Sequence, residues 1–136
     1  MEGRYALEWC RRPPLAGSQG RCPDDWYVPT DGDWTILETA VGELPGKHLK
    51  STNYWKAYTG HGNGDNSSGF TGLPAGYRNA TGSLEAFSLF GFFWSSSFTS
   101  GGSSAWRRDL YYNSASVGLN PSPSEHGYAV RCLWRP

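Results

Sequence analysis

Glycine and proline interrupt this chain so often that few segments can form long helices or strands. The 136 residues include 18 glycines and 9 prolines, about a fifth of the chain, against roughly 12% in ordinary proteins. Aromatic residues are also abundant, with 7 tryptophans, 8 tyrosines and 6 phenylalanines. Disordered chains are poor in aromatic residues, so the rings predict a folded core and the glycines are expected in loops. The expected fold is α+β, or mainly β, and rich in loops.

Length and charge exclude several classes of protein. A chain of 136 residues is expected to form a single domain, residues 1–136. Its 12 basic and 12 acidic residues balance, so we expect no nucleic-acid partner. No apolar run of about 18 residues is present, which predicts no membrane insertion. The polar start Met1-Glu2-Gly3-Arg4 does not read as a secretory signal peptide.

The strongest helix signal follows Pro29. Thr30 is a suitable N-cap, and Asp33 three residues later completes the pattern of a capping box. The apolar residues that follow recur at helical spacing: Trp34, Leu37 and Val41, with Ile36 and Ala40 beside them. Gly42 is a suitable stop, so the pattern predicts a helix that ends there.

The remaining elements are shorter. A second helix is predicted over 45–50, with Leu44 and Leu49 facing inward. The region 51–82 has no lasting period and is predicted to be a long loop, anchored in the core by Phe70, Leu73 and Tyr77. Strands are predicted at Tyr5–Trp9, Phe92–Ser96, Ala105–Tyr112 and Tyr128–Trp134. In the third of these, residues 106, 110 and 112 share one face and residues 107, 109 and 111 share the other.

Five ordered motifs resemble those of a known family. They are CPDDWYVPTDGDW (22–34), KHLKST (47–52), GFTGLPAGYR (69–78), FWSSS (93–97) and GYAVRC (127–132). Together they resemble the Fibrobacter succinogenes major paralogous (FISUMP) domain over about residues 22–133. The departures are small: Ala75 stands where the family has glycine, and Pro45-Gly46 and His48 alter one motif.

The resemblance implies a C-type-lectin-like fold with two short helices, small antiparallel sheets and long loops. It also implies an extracellular or cell-surface protein of a bacterium or phage, with a protein or glycan target. Similar lectin-like domains serve as variable proteins of diversity-generating retroelements, in which a C-terminal segment is hypermutated on a fixed scaffold. Phe92–Glu125 occupies the corresponding place, so diversification of this segment is part of the hypothesis.

The three cysteines form an odd set: Cys10, Cys22 and Cys132. No cysteine or histidine spacing suits zinc, so a transition-metal site is not expected. The residues alone leave two alternatives open, three reduced thiols or one bridge. The family pattern implies a bridge between Cys22 and Cys132, which would close a loop of about 110 residues. Cys10 would then be free or paired between chains.

Catalysis is not expected. The same broad fold includes formylglycine-generating enzymes, but their late pair of reactive cysteines is missing, because Cys132 is the only cysteine in the last third. No G-x-S-x-G elbow, phosphate-binding loop or Ser/His/Asp order is present. Paired acids such as Asp24 and Asp25 are typical of a turn. We therefore expect a protein that is not an enzyme.

Calcium is the one cofactor that the sequence leaves open. Asn63 and Asp65 lie in a loop rich in oxygen ligands, and they are weak candidates for a calcium site. Calcium prefers six to eight oxygens with several carboxylates, and Asp65 is the only carboxylate of this loop. The alternative, Asx turns that order the loop, is favoured. The EPN, QPD and WND signatures of sugar-binding C-type lectins are absent.

A ligand-binding surface is predicted in the C-terminal third. Its members are Phe92, Phe98, Arg107, Asp109, Tyr111 and Asn113, which fall on the off-core face of the strands or at loop tips. The alternative for these residues is packing beneath the long loop. Trp26, Trp34, Trp94 and Trp106 are predicted to lie in the core, and Arg131 to make a structural hydrogen bond. A second hypothesis is a structural or decoration role on a bacterial surface or virion, with self-association.

Overall fold

The computed structural model describes the backbone of residues 8–10 and residues 22–136 in full. Within these residues the chain forms two helices, α1 (Asp31–Val41) and α2 (Pro45–Leu49). The strands are β1 (Glu8–Cys10), β2 (Trp26–Tyr27), β3 (Tyr77–Arg78), β4 (Leu84–Glu85), β5 (Phe90–Phe98), β6 (Ser104–Tyr111), β7 (Gly118–Pro123), β8 (Tyr128–Val130) and β9 (Leu133–Trp134). The predicted α+β class is confirmed. The start of the predicted strand Tyr5–Trp9 and the side chain of Cys10 lie outside the described residues.

Helix α1 begins with the predicted capping box. The Thr30 hydroxyl accepts from the Asp33 backbone N–H at 3.2 Å, and the Asp33 carboxylate accepts from the Thr30 N–H at 2.9 Å. The helix ends before Gly42, whose φ of 83° suits glycine. At 11 residues, α1 is too short and too polar to cross a membrane, as is every other helix in the described part of the chain.

Helix α2 confirms the predicted second helix and corrects one detail. Leu49 is buried as predicted, but Leu44 is 46% exposed. Leu44 adopts a left-handed conformation, with φ of 59° and ψ of 47°, at the residue before the helix. This conformation turns the chain into α2 and leaves the Leu44 side chain outside the core.

Five strands form one sheet in the order β1-β8-β5-β6-β7. Strands β5 and β6 form an antiparallel hairpin, while β8 runs parallel to β5, with Phe93 beside Ala129. The first and last parts of the chain therefore meet, because β1 pairs with β8. Two smaller ribbons complete the fold, β2 with β9 and β3 with β4.

Two parts of the strand prediction need correction. Strand β7 was not predicted, because its sequence GLNPSP contains two prolines. It forms at the edge of the sheet, where proline is tolerated, and pairs with β6 along its whole length. The predicted strand Tyr128–Trp134 is instead two strands, β8 and β9, separated by Arg131 and Cys132.

The sheet has a hydrophobic core on each face. One core contains Val28, Phe92, Trp94, Ala105, Tyr128 and Val130, and the other contains Trp34, Leu49, Phe93, Leu110 and Ala129. Successive residues of β5 point into opposite cores, so this strand is apolar on both faces. Of the four tryptophans predicted to lie in the core, Trp34 and Trp94 are buried, whereas Trp26 and Trp106 are half-buried.

The disulfide that the family pattern implied is confirmed. Cys22 and Cys132 are bonded, with Cα atoms 5.8 Å apart and a sequence separation of 110. The bond ties the segment before β2 to the segment before β9. In the chain-entropy description, closing a loop of this length contributes about 4–5 kcal/mol to the free energy of unfolding. A disulfide is compatible with an extracellular location.

The long region between α2 and β5 is anchored as predicted at two points. Phe70 packs against the second core, and Tyr77 packs against the first. Arg131 holds the first of these anchors, because it donates a hydrogen bond to the Phe70 carbonyl at 2.6 Å and its guanidinium lies 4.3 Å from the ring centroid. The structural hydrogen bond predicted for Arg131 is therefore present.

Candidate functional site

The six residues predicted to bind a ligand do not form one exposed surface. Phe92 is 5% exposed and Asp109 is fully buried, so the exposure expected for both residues is wrong. Arg107 and Tyr111 are half-buried against the same core, and Phe98 packs at its edge. Only Asn113, in the turn after β6, is exposed. The predicted alternation along β6 is correct, but its second face meets another core instead of solvent.

A polar network occupies this second core. The Arg107 guanidinium lies between two rings, 4.3 Å from the Phe92 centroid and 4.8 Å from the Tyr128 centroid. It donates to the Tyr128 hydroxyl. Its Nε lies 2.9 Å from Oδ1 of Asp109, but the N–H points away from the oxygen, so the contact is an ion pair without a well-aligned hydrogen bond.

Asp109 is the centre of this network. Its Oδ2 accepts from the Tyr111 hydroxyl at 2.9 Å and from the Asn120 amide at 2.7 Å. Burial raises the pKa of Asp109, and the Arg107 charge acts against that rise. Burial and the neighbouring Asp109 raise the pKa of Tyr111 to about 12. The network joins β6 to β7 and β8. It lies in the protein interior, where a macromolecular ligand has no access to it.

Exposed rings gather at a different place, around Asn113. The adjacent Tyr112 was predicted to face the core, yet its ring meets that of Tyr58 edge to face, with centroids 6.0 Å apart. The Lys56 ammonium lies 5.3 Å from the Tyr112 centroid. Tyr54, two residues before Lys56, is 71% exposed, and Phe87, next to the Ser88 that Lys56 contacts, is 72% exposed. We call these six residues the loop surface: Tyr54, Lys56, Tyr58, Phe87, Tyr112 and Asn113.

Backbone hydrogen bonds hold the loop surface in place. The Lys56 N–H donates to the Ser88 carbonyl, and the Tyr112 N–H donates to the Leu89 carbonyl, each at 2.9 Å. The Asn63 side chain accepts from the Tyr58 N–H at 3.1 Å and donates to the Tyr58 carbonyl at 2.6 Å. Three separate stretches of the long region and the turn after β6 are thus fixed against one another.

Lys50 lies buried beneath the loop surface. Its ammonium donates to the carbonyls of Gly62, Tyr111 and Ser114, the last two at 2.6 and 2.7 Å. Burial lowers the pKa of Lys50 to about 8. No sequence pattern indicates this role, because a lysine in a motif such as KHLKST is typical of a solvated charge.

Comparison with known proteins decides the family. The sequence model described as the Fibrobacter succinogenes major domain matches residues 8–134, nearly the whole chain. The chain belongs to this family. Searches of curated proteins and of solved structures find no match.

In this Fibrobacter succinogenes major domain, the two calcium candidates have protein partners. Asn63 is occupied by Tyr58, as described above, and Asp65 accepts from the Ser67 N–H at 3.0 Å. That hydrogen bond and the neighbouring His48 lower the pKa of Asp65 to about 2. Within residues 22–136 no group of three His, Cys, Asp or Glu side chains could hold a metal ion.

One cluster of this Fibrobacter succinogenes major domain has the composition of a hydrolase triad. Ser67 Oγ lies 2.7 Å from Nδ1 of His48, and both Asp65 oxygens lie 3.0 Å from the same nitrogen. A triad needs the acid and the serine on opposite ring nitrogens, so that one orients the base while the other loses its proton. This arrangement therefore cannot relay a proton from Ser67 through His48 to Asp65.

The Fibrobacter succinogenes major domain also has an apolar groove of about 820 Å³ between α1 and the β2–β9 ribbon. Ile36 is 68% exposed and Trp134 is 56% exposed along it. The lining residues include Trp26, Trp34, Ile36, Leu37, Phe70, Leu133 and Trp134. Sequence periodicity could not reveal the groove, because one of its walls, β9, lies about 100 residues after α1 in the chain.

Proposed function

We propose that this domain is a non-catalytic binding module that recognises a protein or glycan through its loop surface. The observation that carries the proposal is a group of exposed aromatic side chains on a backbone that hydrogen bonds hold in place. Large exposed apolar groups on a soluble protein are typical of interaction sites. Tyrosine rings provide contact area at little cost in conformational entropy, and Lys56 and Asn113 supply polar contacts.

The proposed fold is C-type-lectin-like. Three features support it: two short helices against a small sheet, terminal strands that pair with each other, and a long irregular region from residue 50 to residue 89. The disulfide between the two ends of the chain supports it as well. In such a scaffold the long region supplies the binding surface and the sheet supplies the frame.

A non-catalytic role is part of the proposal. Asp109, the buried acid with the raised pKa, is enclosed by Arg107, Tyr111 and Asn120 and does not line the apolar groove. The cluster of Ser67, His48 and Asp65 has the wrong geometry for proton relay. A bound cofactor is not needed for the surface we propose.

The structure divides the segment Phe92–Glu125, for which we hypothesised diversification, into buried and exposed positions. Phe92, Trp94 and Leu110 are buried and would be part of the frame, whereas Asn113 and Leu119 are exposed. If a retroelement diversifies this domain, substitutions should concentrate at the exposed positions. A complete source locus without a reverse transcriptase gene and a near-copy template repeat would refute diversification and leave the binding module standing.

An alternative is a structural or decoration role on a bacterial surface or virion. The observation that favours it is the apolar groove, because Ile36, Leu133 and Trp134 could pack against a neighbouring molecule. Concentration-dependent self-association, measured by light scattering and abolished in Ile36→Ser, would support this alternative.

The loop surface and the groove can be separated by matched variants. Tyr58→Ala and Tyr112→Ala alter the loop surface, while Ile36→Ser and Trp134→Ser alter the groove. A glycan array and a panel of purified bacterial surface proteins provide ligands. We expect at least tenfold weaker binding in the first pair, unchanged binding in the second pair, and melting temperatures close to that of the wild type. Loss of binding only in the groove variants would refute the loop surface as the binding site.

A further inference from the structure

Lys50 is a fully buried cation without a buried anion. The residue is 0% exposed, and its ammonium makes no ion pair with any acid in residues 22–136. Burial lowers the pKa of the Lys50 ammonium to about 8. A buried charge is normally paired with an opposite charge. Without such a partner among the described residues, the ammonium must be solvated by some other source of hydrogen-bond acceptors.

That source is a set of three backbone carbonyl oxygens. They belong to Gly62 in the long region, Tyr111 at the end of β6, and Ser114 in the following turn. The ring of Trp55 adds a fourth contact, 5.3 Å from the ammonium. The carbonyls come from two parts of the chain, the long region with Gly62 and the turn with Tyr111 and Ser114, which meet only in the folded protein. We call them the carbonyl cage.

Close backbone packing at two glycines fixes the position of the carbonyl cage. A Cβ atom at Gly62 would lie 2.5 Å from the backbone of Asn113, and one at Gly64 would lie 2.6 Å from Cβ of Lys50. Both positions therefore require glycine, because a larger residue would push the long region away from Lys50 and from the turn after β6. The carbonyls consequently converge at a fixed spacing.

We propose that the carbonyl cage is a monovalent-cation site, which the protein fills with its own Lys50 ammonium. Neutral carbonyl oxygens suit a monovalent ion, as in potassium-selective filters, where carbonyls replace the hydration shell. Divalent ions require more: calcium takes six to eight oxygens with carboxylates, and magnesium needs oxygens at 2.0–2.1 Å. The cage offers no carboxylate, and its oxygens lie 2.6 and 2.7 Å from the ammonium.

The consequence is that the ammonium, and not the lysine stem, holds the loop surface together. Gly62 follows Tyr58 in the long region, while Tyr111 and Ser114 flank Tyr112 and Asn113. One cation therefore joins the two halves of the loop surface. The carbonyl cage consists of protein atoms alone, so its affinity for a cation does not depend on which ligand the loop surface binds.

Chemical rescue tests the proposal. Lys50→Ala empties the cage and opens space for an ion, whereas Lys50→Met removes the charge but fills most of that space. Melting temperatures are measured for both variants and the wild type in 200 mM lithium, potassium, ammonium, ethylammonium or tetramethylammonium chloride. We expect potassium, ammonium or ethylammonium to raise the melting temperature of Lys50→Ala by about 5 °C over lithium and tetramethylammonium. The wild type and Lys50→Met should respond to the five salts alike.

Each outcome is decisive. If Lys50→Ala does not fold in lithium chloride, the refolding yield replaces the melting temperature, and recovery in ethylammonium or potassium chloride supports the cage. Equal melting temperatures or equal yields of Lys50→Ala in all five salts would overturn the proposal. A response to ethylammonium that Lys50→Met shares would also overturn it, because the effect would then not arise in the emptied cage.

Discussion

Arg107 and Asp109 stand two residues apart on the same strand, and their side chains pair inside the protein with 2.9 Å between Nε and Oδ1. The Arg107 guanidinium lies between the rings of Phe92 and Tyr128, and the pair is hydrogen-bonded to β7 through Asn120 and to β8 through Tyr128. Arg107 and Asp109 were predicted to bind a ligand on the surface of a strand, but both lie in the interior. We therefore expect them to stabilise the fold.

Arg107→Ala should destabilise the protein. The substitution leaves the Asp109 carboxylate buried without its counter-charge, and breaking one partner of a buried pair costs about 3–5 kcal/mol. We expect a loss near the lower end of this range, because the Arg107 side chain retains 18% exposure. Urea unfolding measures it, with Arg135→Ala as a control, since Arg135 is exposed and stacks only on Tyr27. A loss below 1 kcal/mol for Arg107→Ala would contradict the interior role.

Tyr111 should make stability depend on pH in the alkaline range. Its pKa is raised from 10 to about 12 in the folded state, so the unfolded chain releases the proton first as the pH rises. The contribution of Tyr111 is therefore complete below pH 10 and is lost between pH 10 and pH 12. Denaturant titrations of the wild type and Tyr111→Phe should differ most at pH 9 and converge towards pH 12. A difference that stays constant over this range would show that the hydroxyl does not titrate as described.

Removal of the disulfide should lower stability by about 4 kcal/mol in the chain-entropy description. The double variant Cys22→Ala/Cys132→Ala frees a loop with a sequence separation of 110 residues. A reducing agent should lower the melting temperature of the wild type and leave that of the double variant unchanged. Peptide mapping without reduction should recover Cys22 and Cys132 in one linked fragment, and native alkylation of both residues would argue against the bond.

Leu44→Asn should stabilise the protein. Leu44 has a positive φ of 59° and its side chain is 46% exposed, so it pays for an unfavourable backbone conformation and gains little burial. Asparagine tolerates this left-handed conformation better than leucine does. We expect a gain of about 0.5–1 kcal/mol in the free energy of unfolding. Leu49→Asn is the matched contrast, because Leu49 is buried and its loss should destabilise strongly; a destabilising Leu44→Asn would mean that the Leu44 side chain makes contacts that matter.

Local features of this fold could be predicted from the sequence, and distant ones could not. The capping box at Thr30 and Asp33 is formed by residues three apart, so the pattern contains all the information it needs. The predicted alternation of the side chains of β6 between the two faces of the sheet was also correct. Its interpretation failed because exposure of Arg107 and Asp109 depends on whether other parts of the chain pack over that face, and here Val28 and Tyr77 belong to the core that does so.

The candidate site was harder to predict for the same reason. Tyr58 and Tyr112 meet although 54 residues separate them, and no spacing rule relates them. The buried ammonium of Lys50 is hydrogen-bonded by carbonyls from two turns that are distant in the chain, one with Gly62 and one with Tyr111 and Ser114. The exposure of Asn113 was predicted correctly, because the residue lies in a turn that follows a strand, and turns usually lie at the surface.

The outer edge of β7 has a consequence for crowding. Pro121 and Pro123 alternate along this strand, opposite Trp106 and Ser104 of β6. Proline has no N–H to offer, so the free margin of the sheet is a poor template for a strand from another molecule. Copies of the domain can therefore come close together at high concentration without strand pairing through the β7 edge.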